Sequence, residues 1–193
     1  GLIEVDTGSS RTKKLNQAEL IIASRLKHKH VSAVKYNKNH FASLLPIVRF
    51  QSNAVLSFSN FSVCQFHFFP CGIKQLVIEV KIGELFLFLV HLSIRKNIRR
   101  RQIQHLAKIA KGKEPLILAG DFNVFSGARE LEYLQKELHL ISANSSAEPT
   151  YPSYKPKREL DFIFYSEKIN PLAFRVGNVA FSDHLPLIFD FEL

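Results

Sequence analysis

The chain has 193 residues, 46% hydrophobic and 22% charged, a balance that fits one globular domain and excludes a disordered tract, a collagen-like repeat or a disulfide scaffold. Lys and Arg number 26 against 17 Asp and Glu, a formal net charge of +9 that favours anionic partners without specifying a fold. Met and Trp both number 0 and the first residue is Gly, so the chain reads as a piece whose natural start lies elsewhere.

Residues 2–5 read as the end of a buried strand. Asp6-Thr7-Gly8-Ser9-Ser10 is a polar loop suited to capping a helix, on which Leu15, Ala18, Ile22 and Leu26 recur along one face. Residues 53–58 and 61–69 are aromatic and β-branched, bounded by polar residues or Pro, and read as strands. A hairpin follows, 75–81 and 84–91, turning at Ile82-Gly83; counting back from that turn places Lys74 opposite His91. A helix covers 98–110 with Ile103, Leu106 and Ala110 inward, 115–119 is a short buried strand, and another helix runs from 128 to 138. The last strands are 161–165 and 186–191. Strands outnumber helices and neighbouring strands pair as hairpins. The expectation is one α/β domain over 1–193, a largely antiparallel sandwich instead of a doubly wound parallel sheet. Cys64 and Cys71 read as free thiols beside a buried Phe-rich segment, in keeping with a reducing, cytoplasmic location. The longest apolar run, 85–90, is roughly a third of the ~20 residues a membrane helix needs.

Four polar clusters interrupt the apolar pattern at strand ends. Gly120-Asp121-Phe122-Asn123 sets a carboxylate at the mouth of a buried strand, a rigid support for a catalytic or metal-binding group, with Asn123 able to donate to an anionic oxygen. Ser182-Asp183-His184 opens the final strand: Asp183 suits a hard cation such as Mg²⁺, and His184 can exchange a proton near neutral pH. Asp161 begins an otherwise apolar strand and needs a partner there, for which His184 is the candidate. His91 ends the strand that starts at Leu85. Each cluster alone also fits a structural role, as a turn or a loop His satisfied by backbone.

Taken in order, Ile3-Glu4-Val5-Asp6, His91-Leu92, Gly120-Asp121-Phe122-Asn123, Leu160-Asp161 and Ser182-Asp183-His184 form a series that resembles the endonuclease/exonuclease/phosphatase superfamily. Smaller matches are Asp6-x-Gly8-Ser9-x-Arg11, Asn53-Ala54-Val55-Leu56-Ser57 and Thr150-Tyr151-Pro152-Ser153. The resemblance implies a deoxyribonuclease I-like fold, a four-layered sandwich of two mostly antiparallel or mixed β-sheets flanked by helices. It implies Glu4 and Asp183 as ligands of a divalent metal, commonly Mg²⁺, with Mn²⁺ as a substitute. It implies that Asp121 positions or deprotonates the attacking water and that Asn123 contacts phosphate. Asp161 and His184 would be the pair that supports attack or stabilises the phosphorane-like transition state, and His91 a second phosphate-contacting or leaving-group His. Lys74 and Arg11 are the expected substrate-binding cations.

By this resemblance the chain is a monomeric Mg²⁺-dependent phosphoesterase, foremost a phosphodiesterase acting on nucleic acid. Hydrolysis of a phospholipid or small phosphate ester by the same machinery is the alternative, as is an inactive remnant that binds an anionic partner. Two departures bear on it. Ile3 stands where members carry Gln before the metal-binding Glu, and the Asn-bearing strand that precedes that Glu in members has no counterpart here. The domain is therefore expected to be incomplete at its N-terminus, with a weaker metal and phosphate site than a version carrying that strand.

Between 92 and 113, Arg95, Lys96, Arg99, Arg100, Arg101, Lys108, Lys111 and Lys113 occur without an acidic residue. Most are expected on a solvated helix face; the other reading is a contact with phosphate backbone or lipid headgroups. Aromatics for base stacking are absent from the run.

Overall fold

A computed structural model of the chain describes residues 1–9, 12–23, 29–34 and 50–193. Its elements are, in order, β1 (Leu2–Asp6), α1 (Gln17–Ala23), β2 (Lys29–Val34), β3 (Gln51–Ser57), β4 (Phe61–Phe68), β5 (Leu76–Ile82), β6 (Leu85–His91) and α2 (Lys96–Ala110). There follow β7 (Leu116–Asp121), a 3-10 turn (Ala128–Leu131) leading into α3 (Glu132–Leu138), β8 (Leu140–Ser142), β9 (Asp161–Ser166), β10 (Asn170–Val176) and β11 (Leu187–Glu192). One sheet has six strands in the order β4-β5-β6-β7-β9-β8, a second is β1-β3-β2 and a third is β10-β11. β6 and β7 are parallel and joined by the α2 crossover, as parallel neighbours require.

β6 shows why its apolar run is unbroken. Phe86, Phe88 and Val90 lie in the core under α2 and α3, whereas Leu85, Leu87 and Leu89 pack toward the other sheets. A strand covered on both faces needs an apolar side chain at every position. β7 and β9 repeat the alternation: Leu116, Leu118, Phe162 and Phe164 face the helices, and Ile117, Ala119, Ile163 and Tyr165 face away. Val31 and Val55 of the three-stranded sheet, and Phe189 and Phe191 of β11, supply the opposing layer. α1 closes the outside through Ala18 against Val5 and Ala54. Helices, large sheet, smaller sheets and helix make the four layers that the resemblance implies. Among the described residues the only strand that β1 pairs with is β3, and the only one that β11 pairs with is β10. A largely apolar cavity of about 380 Å³, lined by Leu2, Ile3, Pro186 and Leu187 among others, lies beside both.

Several local expectations are corrected. The hairpin turns at Gly83-Glu84, with Ile82 opposite Leu85 and Val77 opposite Val90, so Lys74 precedes β5 and is not across from His91. α1 is capped by Asn16, whose Oδ1 accepts the Ala18 N–H at 3.1 Å, while the Asp6 carboxylate accepts the Gly8 and Ser9 amides instead. Leu15 precedes the helix and is exposed; Ser10 and Leu26 lie outside the described residues. β4 is an edge strand with Cys64 and Phe66 exposed, so burial of the Phe-rich segment is confined to Phe69. β2, β8 and β10 come from stretches too polar or too short to read as strands.

The basic run divides. Arg99 is 1% exposed; its guanidinium pairs bidentately with Glu130 at 2.8–3.1 Å and donates to the carbonyls of Ser93 and Ile94. Lys113 pairs with the buried Glu79, which also meets His67 at 2.6 Å. Neither belongs to a solvated face, because each is the counter-charge of a buried or half-buried carboxylate.

Gly120 governs how closely β6 and β7 approach. Its φ is +148°, and a Cβ there would lie 1.9 Å from the Val90 carbonyl oxygen. Gly120→Ala is expected to lower stability by roughly 3 kcal/mol or more, because both backbone and neighbour must move. A urea-unfolding midpoint within experimental error of wild type would contradict that reading.

Candidate active site

Three adjacent strands meet in one row, where β6 and β7 end and β9 begins. His91 lies opposite Asp121 and Asp121 opposite Asp161 in the registers of β6, β7 and β9. These odd-numbered positions continue the rows of Leu89, Ala119 and Ile163, so the three side chains turn toward the smaller sheets. β1 brings a fourth group. Its register slips between Leu2 and Val5, and Glu4 takes a φ of 61°, an irregularity of the kind that re-aims a side chain at a strand end. The Glu4 N–H donates to Asn53 Oδ1 at 3.3 Å, tying that kink to β3.

The segment before β11 carries Asp183 and His184, and the chain near Thr150 holds it in place. Leu185 N–H donates to the Thr150 carbonyl at 2.9 Å and Ser153 N–H to the Asp183 carbonyl at 2.8 Å. The fully buried Thr150 hydroxyl donates to Asp161 Oδ2 at 2.6 Å. The same oxygen lies 2.7 Å from His184 Nδ1, so Asp161 and His184 form the pair that their residue types suggested.

Glu4, Lys74, His91, Asp121, Asn123, Asp161, Asp183 and His184 all line one cleft of about 230 Å³. Arg11 lies outside the described residues. Lys74 reaches the cleft despite the shifted hairpin: its ammonium contacts His91 Nε2 and stands 4.0 Å from Glu4 Oε1. The buried Gln102 of α2 fixes it there, donating to the carbonyls of Cys71 and Lys74 and accepting the Ser93 N–H. His91 Nε2 is also 3.1 Å from Asp121 Oδ2, and Nδ1 is 3.6 Å from Glu4 Oε1. A proton on Nε2 serves Asp121; with the proton on Nδ1 the same nitrogen accepts from Lys74. Asn123 turns inward: its amide donates to the Leu92 carbonyl and to Asp121 Oδ2, both at 2.9 Å, so it braces Asp121 where a phosphate contact was expected.

The charges are balanced against burial. Burial alone would raise the Asp121 pKa, but the hydrogen bond and charge of His91, with the charges of His184 and Lys74, bring it below the ordinary value. Burial would lower His184; the bond to Asp161 and the charges of Asp161, Asp121 and Asp183 outweigh it and raise the pKa. The protonated His184 therefore stabilises the fold fully below about pH 6.5 and ceases to do so as pH rises through its raised folded-state pKa. Lys74 is shifted down, burial prevailing over the carboxylates of Asp121, Glu4 and Asp183.

Asp121, Asp161 and His184 offer ligand atoms within 4.8 Å of one another, while Glu4 and Asp183 present carboxylates to the same cleft. A donor set dominated by carboxylate oxygen fits a hard divalent cation. The compact trio differs from the expected pair, since neither Glu4 nor Asp183 belongs to it. Tyr151, marked in the sequence only as part of a smaller motif match, has its ring centroid 4.8 Å from that of His184, and Phe125, which carried no mark, meets Tyr151 edge-on at 6.0 Å. Gln102 and the role of Thr150 were equally unmarked. Their signals are a polar residue on a largely apolar helix face and, for Thr150, the Thr150-Tyr151-Pro152-Ser153 match eleven residues before Asp161.

Solved structures share the fold. A 3′ phosphatase NExo from Neisseria, bound to a product DNA hairpin, is 14% identical over 98% of this chain and 97% of its own, with a TM-score of 0.65. The catalytic domain of human Nocturnin with a bound sulfate anion is 21% identical over 91% and 76%, with a TM-score of 0.67. An endonuclease/exonuclease/phosphatase family protein from Leptotrichia buccalis is 14% identical over 92% and 78%, with a TM-score of 0.71. No curated protein matches the chain by sequence. The model of the Endonuclease/Exonuclease/phosphatase family matches residues 1–184, nearly the whole chain and every one of the cleft residues above. The chain thus belongs to the endonuclease/exonuclease/phosphatase family and is a hydrolase of phosphate esters.

Proposed function

We propose that this chain is a divalent-metal-dependent phosphodiesterase whose substrate is nucleic acid. The observation that carries the proposal is the convergence on one cleft of an ionised carboxylate, an Asp–His pair and a lysine. Phosphate-ester cleavage needs an aligned water, neutralised non-bridging oxygens and a stabilised leaving oxygen, and these groups can meet those needs. The Neisseria protein's product DNA hairpin supports nucleic acid as the substrate class.

Asp121 orients the attacking water. Its lowered pKa makes it an acceptor that aligns a water through a hydrogen bond more readily than one that removes a proton outright. Asn123 and His91 hold its carboxylate in place. His184, whose proton Asp161 favours, donates to the charge that builds on the phosphoryl oxygens. Lys74 draws the phosphate into the cleft. Glu4 and Asp183, with Asp121 and Asp161 beside them, are the residues that would hold Mg²⁺ or Mn²⁺. The ion would supply further neutralisation of the non-bridging oxygens.

A panel of plasmid, single-stranded oligonucleotide, bis(p-nitrophenyl) phosphate and phospholipid, each with Mg²⁺ or EDTA, tests this reading. Turnover of the nucleic acids and the small diester with Mg²⁺, abolished by EDTA, is expected. Turnover of phospholipid alone would point to the lipid reading, and none at all to an anion-binding remnant. Asp121→Asn should reduce turnover about 10²–10⁴-fold with the fold intact. Asp161→Asn should lower the His184 pKa in metal-free buffer, read from the imidazole proton shifts by NMR; an unchanged titration would remove the pair from the account.

A further inference from the structure

Six cations of the basic run remain outside the catalytic cleft: Arg95, Lys96, Arg100, Arg101, Lys108 and Lys111. All six are exposed, and no ion pair holds any of them among the described residues. Their neighbours are treated otherwise, for Arg99 and Lys113 each face a carboxylate. Arg101 and Lys108 share the outward face of α2 with Asn97 and Gln104, and Lys96 and Arg100 flank it on the side toward α3. The inward face carries Ile103, Leu106, Ala107 and Ala110.

We infer that this ridge is a docking surface for the phosphate backbone of a nucleic-acid strand extending beyond the scissile phosphate. The inference rests on the proposed nuclease reading and names where the rest of the substrate lies. Three features support it. First, the ridge is continuous with the cleft: Ile94, immediately before it, lines the cleft beside His91, so a strand leaving on that side meets Arg95 and Lys96 next. Second, its length fits a polymer. Fifteen residues of helix span about 22 Å, roughly six successive phosphates of one strand measured along a duplex axis. Third, the ridge is electrostatically unfavourable when nothing covers it. Lys96 and Arg100 are like charges at i,i+4, and the first turn of α2 contains no acidic residue to oppose them. A polyanion relieves that repulsion.

Chemistry favours nucleic acid over a membrane surface. An interfacial helix turns its apolar face outward, whereas that of α2 is sealed in the core and the outward face is polar. Beside the ridge, Lys96, Asn97, Arg100, Gln104 and the half-exposed Tyr133 of α3 line a groove of about 330 Å³, which places a ring next to the phosphate track. The one carboxylate in that lining, Glu130, is neutralised by Arg99.

The test is a quadruple variant, Lys96→Gln, Arg100→Gln, Arg101→Gln and Lys108→Gln, all at exposed positions, with its melting temperature checked against wild type. Binding to a labelled 20-nucleotide single strand and to its duplex is measured by anisotropy in EDTA from 50 to 200 mM salt. Hydrolysis of bis(p-nitrophenyl) phosphate is measured with Mg²⁺. The inference predicts at least about tenfold weaker binding near 100 mM salt and a logarithmic salt slope flatter by about 3, from four lost phosphate contacts, with small-ester turnover unchanged. Unchanged affinity and slope would overturn it, as would loss of binding to phosphatidylserine vesicles without loss of binding to DNA. If wild type hydrolyses no ester yet binds DNA through the ridge, the surface stands and the hydrolase reading falls. If wild type cleaves DNA and the variant binds it equally well, only the surface falls.

Discussion

Gly120 lets β6 and β7 approach until the Val90 carbonyl fills the space a Cβ would need. That close pairing, continued into β9, sets His91, Asp121 and Asp161 side by side at one end of the large sheet. The rest of the cleft is arranged around this row. β1 delivers Glu4 through its kink, Lys74 arrives on the segment before β5, and the 182–184 segment lays His184 against Asp161. A row fixed by backbone pairing costs little further entropy when substrate binds, which is the advantage of building a site on strands.

Buried polar groups behind the cleft hold these pieces in position. Gln102 and Arg99 project from α2 into the segments carrying Lys74 and following His91, and Thr150 bonds Asp161 from the other side. Each polar group inside so apolar a core would be expensive without partners, and each has them. Electrostatics follow the same plan. The carboxylates of the cleft face His91, His184 and Lys74 closely enough that Asp121 stays ionised although buried. A cleft of carboxylates alone would repel a phosphate ester; interleaved cations make it receptive.

Much of this was legible in the sequence, for identifiable reasons. The unbroken run at 85–90 signalled a buried strand, and polar residues at the ends of such strands marked His91, Asp121 and Asp161 as unusual. The Asp161–His184 partnership followed from an acid at the start of a buried strand needing a counterpart. Register was less legible. Moving the turn from Ile82-Gly83 to Gly83-Glu84 shifts the partner of His91, and Lys74 reaches it instead from the segment before β5, whose carbonyls Gln102 bonds. Arg99 shows a second limit: within a basic run, no local signal marks the one guanidinium that turns inward to Glu130, 31 residues away. The inward turn of Asn123, and the contacts of Thr150 and Tyr151, depend likewise on tertiary neighbours that no spacing rule reports.

The central claim is that the strand-end row and the Asp–His pair work as one unit on a phosphate ester. A double-mutant cycle on turnover, with Asp121→Asn, His184→Ala and the two combined, addresses it most directly. Groups acting on the same transition state give losses that do not add, so the double variant should be little slower than the slower single one. Fully additive losses, each single variant retaining independent activity, would contradict the claim.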